Sequence, residues 1–103
     1  MNKEYTLRIL PVFEQDLNSV RDYIVNVLFN PSAALGLMAD TKRAIADRLK
    51  NPLAFEPYHY AGKGKRKYYS IRVKNFIVFY VVIDDVMEVC RFLYGKRNMP
   101  KLL

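Results

Sequence analysis

The pattern of apolar and polar positions changes period twice along the chain, and those changes mark its elements. Tyr5, Leu7 and Ile9 alternate with Thr6, Arg8 and Leu10, which predicts a short strand ended by Pro11. From Phe13 the spacing lengthens. Phe13, Leu17, Val20, Ile24 and Val27/Leu28 recur every three or four residues, with Glu14, Asp16, Arg21 and Asp22 between them. That spacing predicts an amphipathic helix of about four turns. Asn30-Pro31-Ser32 breaks it, and either Asn30 or Ser32 caps a second helix. The second helix carries Ala34, Leu37/Met38, Thr41, Ile45 and Leu49 and stops at Asn51-Pro52. The short connection makes the two helices antiparallel neighbours. Gly36 costs a helix about 1 kcal/mol relative to alanine, and close approach to the first helix would explain it.

The second change, to strands, follows an irregular stretch from Leu53 to Tyr60 and a basic loop, Ala61-Gly62-Lys63-Gly64-Lys65-Arg66-Lys67. Strands are predicted over Tyr68 to Val73, Phe76 to Ile83 and Val86 to Tyr94. The two-residue connections Lys74-Asn75 and Asp84-Asp85 join them into an antiparallel meander. Phe76 to Ile83 is apolar on both faces and belongs inside the sheet. The fold class is therefore α+β: an N-terminal strand, an antiparallel helical hairpin, and a three-stranded antiparallel meander completing one sheet, all in a single domain over residues 1–103.

Charge divides the chain. Residues 61–103 hold ten Lys/Arg against three acidic residues, whereas residues 1–60 hold seven of each, so the whole net charge of +7 lies on the strand-rich part. A basic sheet on a neutral helical segment points to polyanions or an acidic protein partner. The longest uninterrupted apolar run is the eight residues Phe76–Ile83, whereas a membrane helix needs roughly 20. No secretory signal is visible, one cysteine (Cys90) excludes an internal disulfide, and one histidine (His59) leaves no zinc set. A soluble cytoplasmic domain without metal or cofactor is expected.

Within the basic half, Lys63, Lys65, Arg66 and Lys67 sit in a glycine-bearing loop able to straddle a phosphate backbone or an acidic chain. The same loop also fits a solvated connection kept soluble by its charge. It is not a P-loop, lacking the four-residue spacer and the Lys-Ser/Thr ending. His59 lies between two tyrosines without an acidic orienter nearby in sequence, which is a packing context. Arg72 points to the face opposite Tyr69, Ile71 and Val73. With Lys74, Arg91, Lys96 and Arg97 it completes the cations of the sheet, and Arg72 and Arg97 are the pair able to meet across one face.

The ordered set of segments resembles the RelE/ParE superfamily of toxins from bacterial type II toxin–antitoxin pairs. The resemblance rests on the strand–helix–helix order, on Asn30-Pro31-Ser32-Ala33-Ala34 and on Leu49-Lys50-Asn51-Pro52. It rests equally on Tyr69-Ser70-Ile71-Arg72-Val73-Lys74-Asn75-Phe76, on Val78-Phe79-Tyr80-Val81-Val82 and on Arg91-Phe92-Leu93-Tyr94-Gly95-Lys96-Arg97-Asn98. It implies a four- to five-stranded antiparallel sheet packed on a helical hairpin, and neutralisation by a co-expressed antitoxin whose segment wraps the toxin. DNA would be met only through that antitoxin. The RelE-like branch cleaves mRNA in the ribosomal decoding site with basic side chains; the ParE-like branch lacks that set and inhibits DNA gyrase.

Carried over residue by residue, Arg72 stands where the nuclease branch has a lysine, and Arg97 matches an arginine after Gly-Lys. Ser70 replaces a second lysine, Ile77 replaces the arginine that contacts the phosphate, and Leu103 falls where a C-terminal tyrosine is expected. An apolar Ile77 removes a main source of transition-state charge stabilisation. Three functions are therefore weighed. The first is a growth-arresting toxin of gyrase-inhibiting type. The second is a ribosome-dependent endoribonuclease using Arg72, Arg97 and loop lysines. The third is a basic RNA-binding module stacking bases on Tyr68, Tyr69, Phe76, Phe79 and Tyr80. On the first reading Lys63, Lys65, Arg66, Lys67, Lys74, Arg91 and Lys96 contact the target.

Overall fold

A computed structural model describes residues 3–58, 67–96 and 102–103 of the protein. The elements are β1 (Thr6–Ile9), α1 (Pro11–Asn26), α2 (Pro31–Leu49), β2 (Tyr69–Val73), β3 (Phe76–Ile83) and β4 (Val86–Tyr94), and the sheet order is β1-β4-β3-β2. Pro11 both ends the strand and opens α1, where its missing N–H has no helical partner to lose. Asn30 is the cap of α2: its side-chain oxygen accepts the Ala33 N–H at 3.1 Å, and Pro31 follows at the first helical position. Replacing Asn30 with alanine is expected to cost about 1 kcal/mol, read as a lower urea midpoint at unchanged slope.

The meander forms as the two-residue connections require. Lys74 (φ 55°) and Asp84 (φ 54°) both take the left-handed conformation that lets a tight turn match the strand twist. The antiparallel sheet implied by the family resemblance needs one correction: β1 lies parallel to β4, with Thr6 opposite Val86 and Ile9 opposite Val89. Parallel neighbours need a long crossover, and here the helical hairpin and the rest of the meander supply it. Gly36 also differs from expectation. A methyl group there would meet Lys74 Nζ at 3.8 Å, so this glycine faces the β2–β3 turn rather than α1.

Both faces of the sheet are covered. On one, Ile71, Val78, Tyr80, Met87 and Phe92 pack under Phe13, Leu37 and Ile45 of the helices. On the other, Tyr68, Ile77, Phe79, Val81 and Leu93 form a second apolar cluster with Tyr58 and Leu102 packed against it. A bulge in β4 connects the two patterns: Phe79 pairs with Arg91 but Tyr80 pairs with Val89, which leaves Cys90 extra. That one residue turns Phe92 towards the helices and Leu93 away from them. Full burial of a phenylalanine such as Phe79 or Phe92 contributes roughly 1.5–3 kcal/mol.

Candidate target-binding surface

The sheet's cations fall into paired and unpaired sets. Arg91 is paired. Its Nε donates to Asp16 Oδ2 at 2.7 Å and its Nη2 to Asp16 Oδ1 at 3.0 Å, while Nη1 donates to the Leu102 carbonyl at 3.1 Å. Asp16 also accepts the Phe92 N–H at 3.0 Å. The carboxylate thereby takes up a β4 donor just beyond the end of β1. The hydrogen bond from Arg91 to Asp16 pushes the guanidinium above its ordinary pKa, against the opposing effect of burial. With its charge matched, Arg91 ties α1 to the sheet. Lys74 is half-exposed and lies 3.5 Å from Asp40 of α2.

Arg72, Lys67 and Lys96 are exposed. Among the described residues none of the three forms an ion pair or a side-chain hydrogen bond. As expected, Arg72 lies on the face opposite Ile71 and Val73. A methyl group on Gly95 would stand 3.5 Å from Arg72 Nη1 and 3.2 Å from the Asn75 carbonyl, which already accepts the Gly95 N–H at 2.8 Å. The guanidinium therefore rests beside Gly95, at the end of β4. Together with Asn75, Tyr94 and Lys96 it lines a notch of about 170 Å³. Lys63, Lys65, Arg66, Arg97 and His59 lie outside the described residues.

The positions that would carry RNA chemistry are occupied otherwise. Ile77 sits opposite Arg72 and Leu93 and is 5% exposed within the second cluster. Ser70 is half-buried, its carbonyl accepting from Arg48 at 3.0 Å. The Leu103 carbonyl lies 3.4 Å from the Tyr68 hydroxyl. Tyr68, Tyr69, Phe79 and Tyr80 are buried, and Tyr69 stacks on Tyr80 while Phe76 stacks on Phe92. These rings are spent on the core, so the stacking platform expected of an RNA-binding module is not formed. Among the described residues no cluster of three or more His, Cys, Asp or Glu is placed to hold a metal ion.

Sequence reasoning missed a polar network under the 51–58 segment. Arg48 donates to the Tyr80 hydroxyl at 2.9 Å, and that hydroxyl donates to the Pro52 carbonyl at 2.7 Å. The guanidinium stacks 3.6 Å over the Phe55 ring. Burial is the main cause that raises the Tyr80 pKa above its ordinary 10.0, opposed by the hydrogen bond and charge of Arg48. Because the folded state holds this proton more tightly, the stability it contributes is complete below about pH 10 and is lost as pH rises through the raised folded value. Unfolding midpoints measured from pH 8 to 11 are expected to fall at the alkaline end, and to fall less in Tyr80→Phe.

The family model described as "ParE toxin of type II toxin-antitoxin system, parDE" matches residues 7–99. The chain belongs to the ParE toxin family. Among solved structures it is similar to the one titled "Chromosomal ParDE TA system from P. aeruginosa", with a TM-score of 0.74 at 16% identity, covering 89% of this chain and 97% of that one. At that identity the likeness speaks for the fold. A search of curated protein sequences found no match. No helix among the described residues is long and apolar enough to cross a membrane. In this ParE-family chain Arg72, unpaired among the described residues, stands opposite the apolar, buried Ile77.

Proposed function

We propose that this toxin arrests growth in the cytoplasm by binding DNA gyrase through protein–protein contact, without catalysis of its own, and that a cognate antitoxin neutralises it. The observation that carries the reading is Ile77, packed among Phe79 and Leu93 where cleavage chemistry would want a cation. Membership of the ParE family supports the same choice. For the antitoxin, a groove of about 390 Å³ lies between β1 and the helices, lined by Leu7, Ile9, Phe13, Leu17, Ile45 and Leu49. Its almost wholly apolar lining fits the apolar face of a wrapping segment.

Inducing the toxin and examining one culture in two ways tests the reading. Plasmid topology is expected to change while transcript ends stay unaltered. A second reading, ribosome-dependent mRNA cleavage, has in its favour the exposed Arg72 guanidinium, unpaired among the described residues. Codon-aligned cuts that vanish with Arg72→Ala or Arg97→Ala would replace the first reading with this one.

A further inference from the structure

The end of the molecule where the helical hairpin turns is unusually apolar for a solvent-facing tip. Tyr23, Leu28, Phe29 and Leu35 are all at least half exposed, and Phe29 is 82% exposed. Phe29 also has φ 51°, in the left-handed region. It follows the end of α1, where glycine or asparagine relieves the backbone. Solubility and backbone geometry thus both disfavour phenylalanine at this position. Among the described residues no core packing offsets them, because Phe29 belongs to neither apolar cluster.

Beside this tip runs a groove of about 600 Å³ bordered by Val20, Tyr23, Ile24, Leu28, Phe76 and Tyr94. Asn75 and Tyr94 border both this groove and the notch that holds Arg72 and Lys96. An apolar trough therefore runs up to two cations that lack an acidic partner among the described residues. From this we infer that the hairpin tip, the trough and the Arg72–Lys96 notch form one docking surface for an acidic segment of a target protein, with apolar side chains in the trough and a carboxylate at the notch. The inference rests on the reading that the toxin acts by protein contact. An apolar centre with a charged rim is the pattern of a protein interface. A nucleic-acid strand would want cations along the whole trough and flat rings in place of Val20, Ile24 and Leu28.

The test uses the full-length toxin and a fluorescein-labelled peptide in which leucine and phenylalanine alternate with glutamate. Controls are the same peptide with lysine for glutamate and a single-stranded RNA 12-mer. Anisotropy is expected to show binding of the glutamate peptide alone, weakened about tenfold or more by Arg72→Glu and by Phe29→Gly. Phe29→Gly removes an exposed ring and relieves a strained backbone, so its thermal midpoint should equal or exceed that of the parent. Amide shifts in the ¹⁵N-labelled toxin should map to Tyr23, Leu28, Phe76 and Lys96, with Leu7 and Ile45 unmoved. Equal affinity in the parent and both variants, shifts confined to Leu7 and Ile45, or Arg72-dependent binding of RNA in place of the peptide would each overturn the inference. Gyrase left unaffected while the peptide maps as expected would remove the gyrase reading and leave the docking surface standing.

Discussion

Replacing Ile77 with arginine is expected to destabilise the protein by about 4 kcal/mol and to create no RNA-cleaving activity. Ile77 lies in the apolar cluster with Tyr68, Phe79, Val81 and Leu93, and its neighbours in register are Leu93 and the cationic Arg72. An arginine there loses roughly 2 kcal/mol of apolar burial and brings a charge whose nearest charged neighbour in register has the same sign. Ile77→Val, which removes one methylene, should cost only about 1 kcal/mol. For a domain of this size the arginine variant should melt more than about 15 °C below the parent. Thermal unfolding and a ribosome-programmed mRNA cleavage assay on the same preparations check both halves. A stable variant that cuts mRNA would show that the surface tolerates the missing cation and uses it.

Asp16→Ala is the second large effect, expected to cost about 3 kcal/mol. The carboxylate accepts both nitrogens of the Arg91 fork and the Phe92 N–H. The two side chains are 16% and 24% exposed, so the pair is screened less than a surface bridge. Removing the acid leaves the Arg91 cation with only the Leu102 carbonyl and no counter-charge, and strips the Phe92 N–H of its acceptor beside the sheet. Asp16→Asn keeps an acceptor for the Phe92 N–H and should lose roughly half as much. In Asp16→Ala with Arg91→Met the orphaned charge is gone, and part of the stability should return. Urea denaturation of the three variants would order them accordingly. A single alanine variant as stable as the parent would show that the Asp16–Arg91 pair adds nothing to the hold of α1 on the sheet.

These two sites differ in how readable they are from sequence. Ile77 falls inside the run Phe76–Ile83, apolar at every position, so its burial follows from the lack of any polar side for a central strand to show. The limits of β3 and β4 were legible for a related reason, since Lys74-Asn75 and Asp84-Asp85 leave room only for tight turns. Asp16 and Arg91, 75 residues apart, carry no such mark. Their meeting depends on β1 pairing parallel with β4 and on the bulge at Cys90, and neither leaves a local signal in the spacing.

For the candidate surface the balance reverses. Net charge drew attention to the basic segment as a whole, but charge does not reveal partners. Asp16 neutralises Arg91, Asp40 approaches Lys74, and only geometry separates these from Arg72 and Lys96. The apolar tip was present in the sequence as Leu28-Phe29 directly before Asn30-Pro31. There, two large hydrophobes stand where a turn ordinarily places glycine or a polar residue. Helical periodicity assigned Val27 and Leu28 to the buried stripe, whereas the helix ends at Asn26 and leaves both more than half exposed.

The central claim is that this toxin stops its target by contact and not by cutting RNA. Supercoiling of relaxed plasmid by purified gyrase, with the toxin titrated to saturation, tests it most directly. The account predicts dose-dependent loss of supercoiling that is reversed by the cognate antitoxin and weakened by Arg72→Glu. Normal supercoiling at saturating toxin would contradict it.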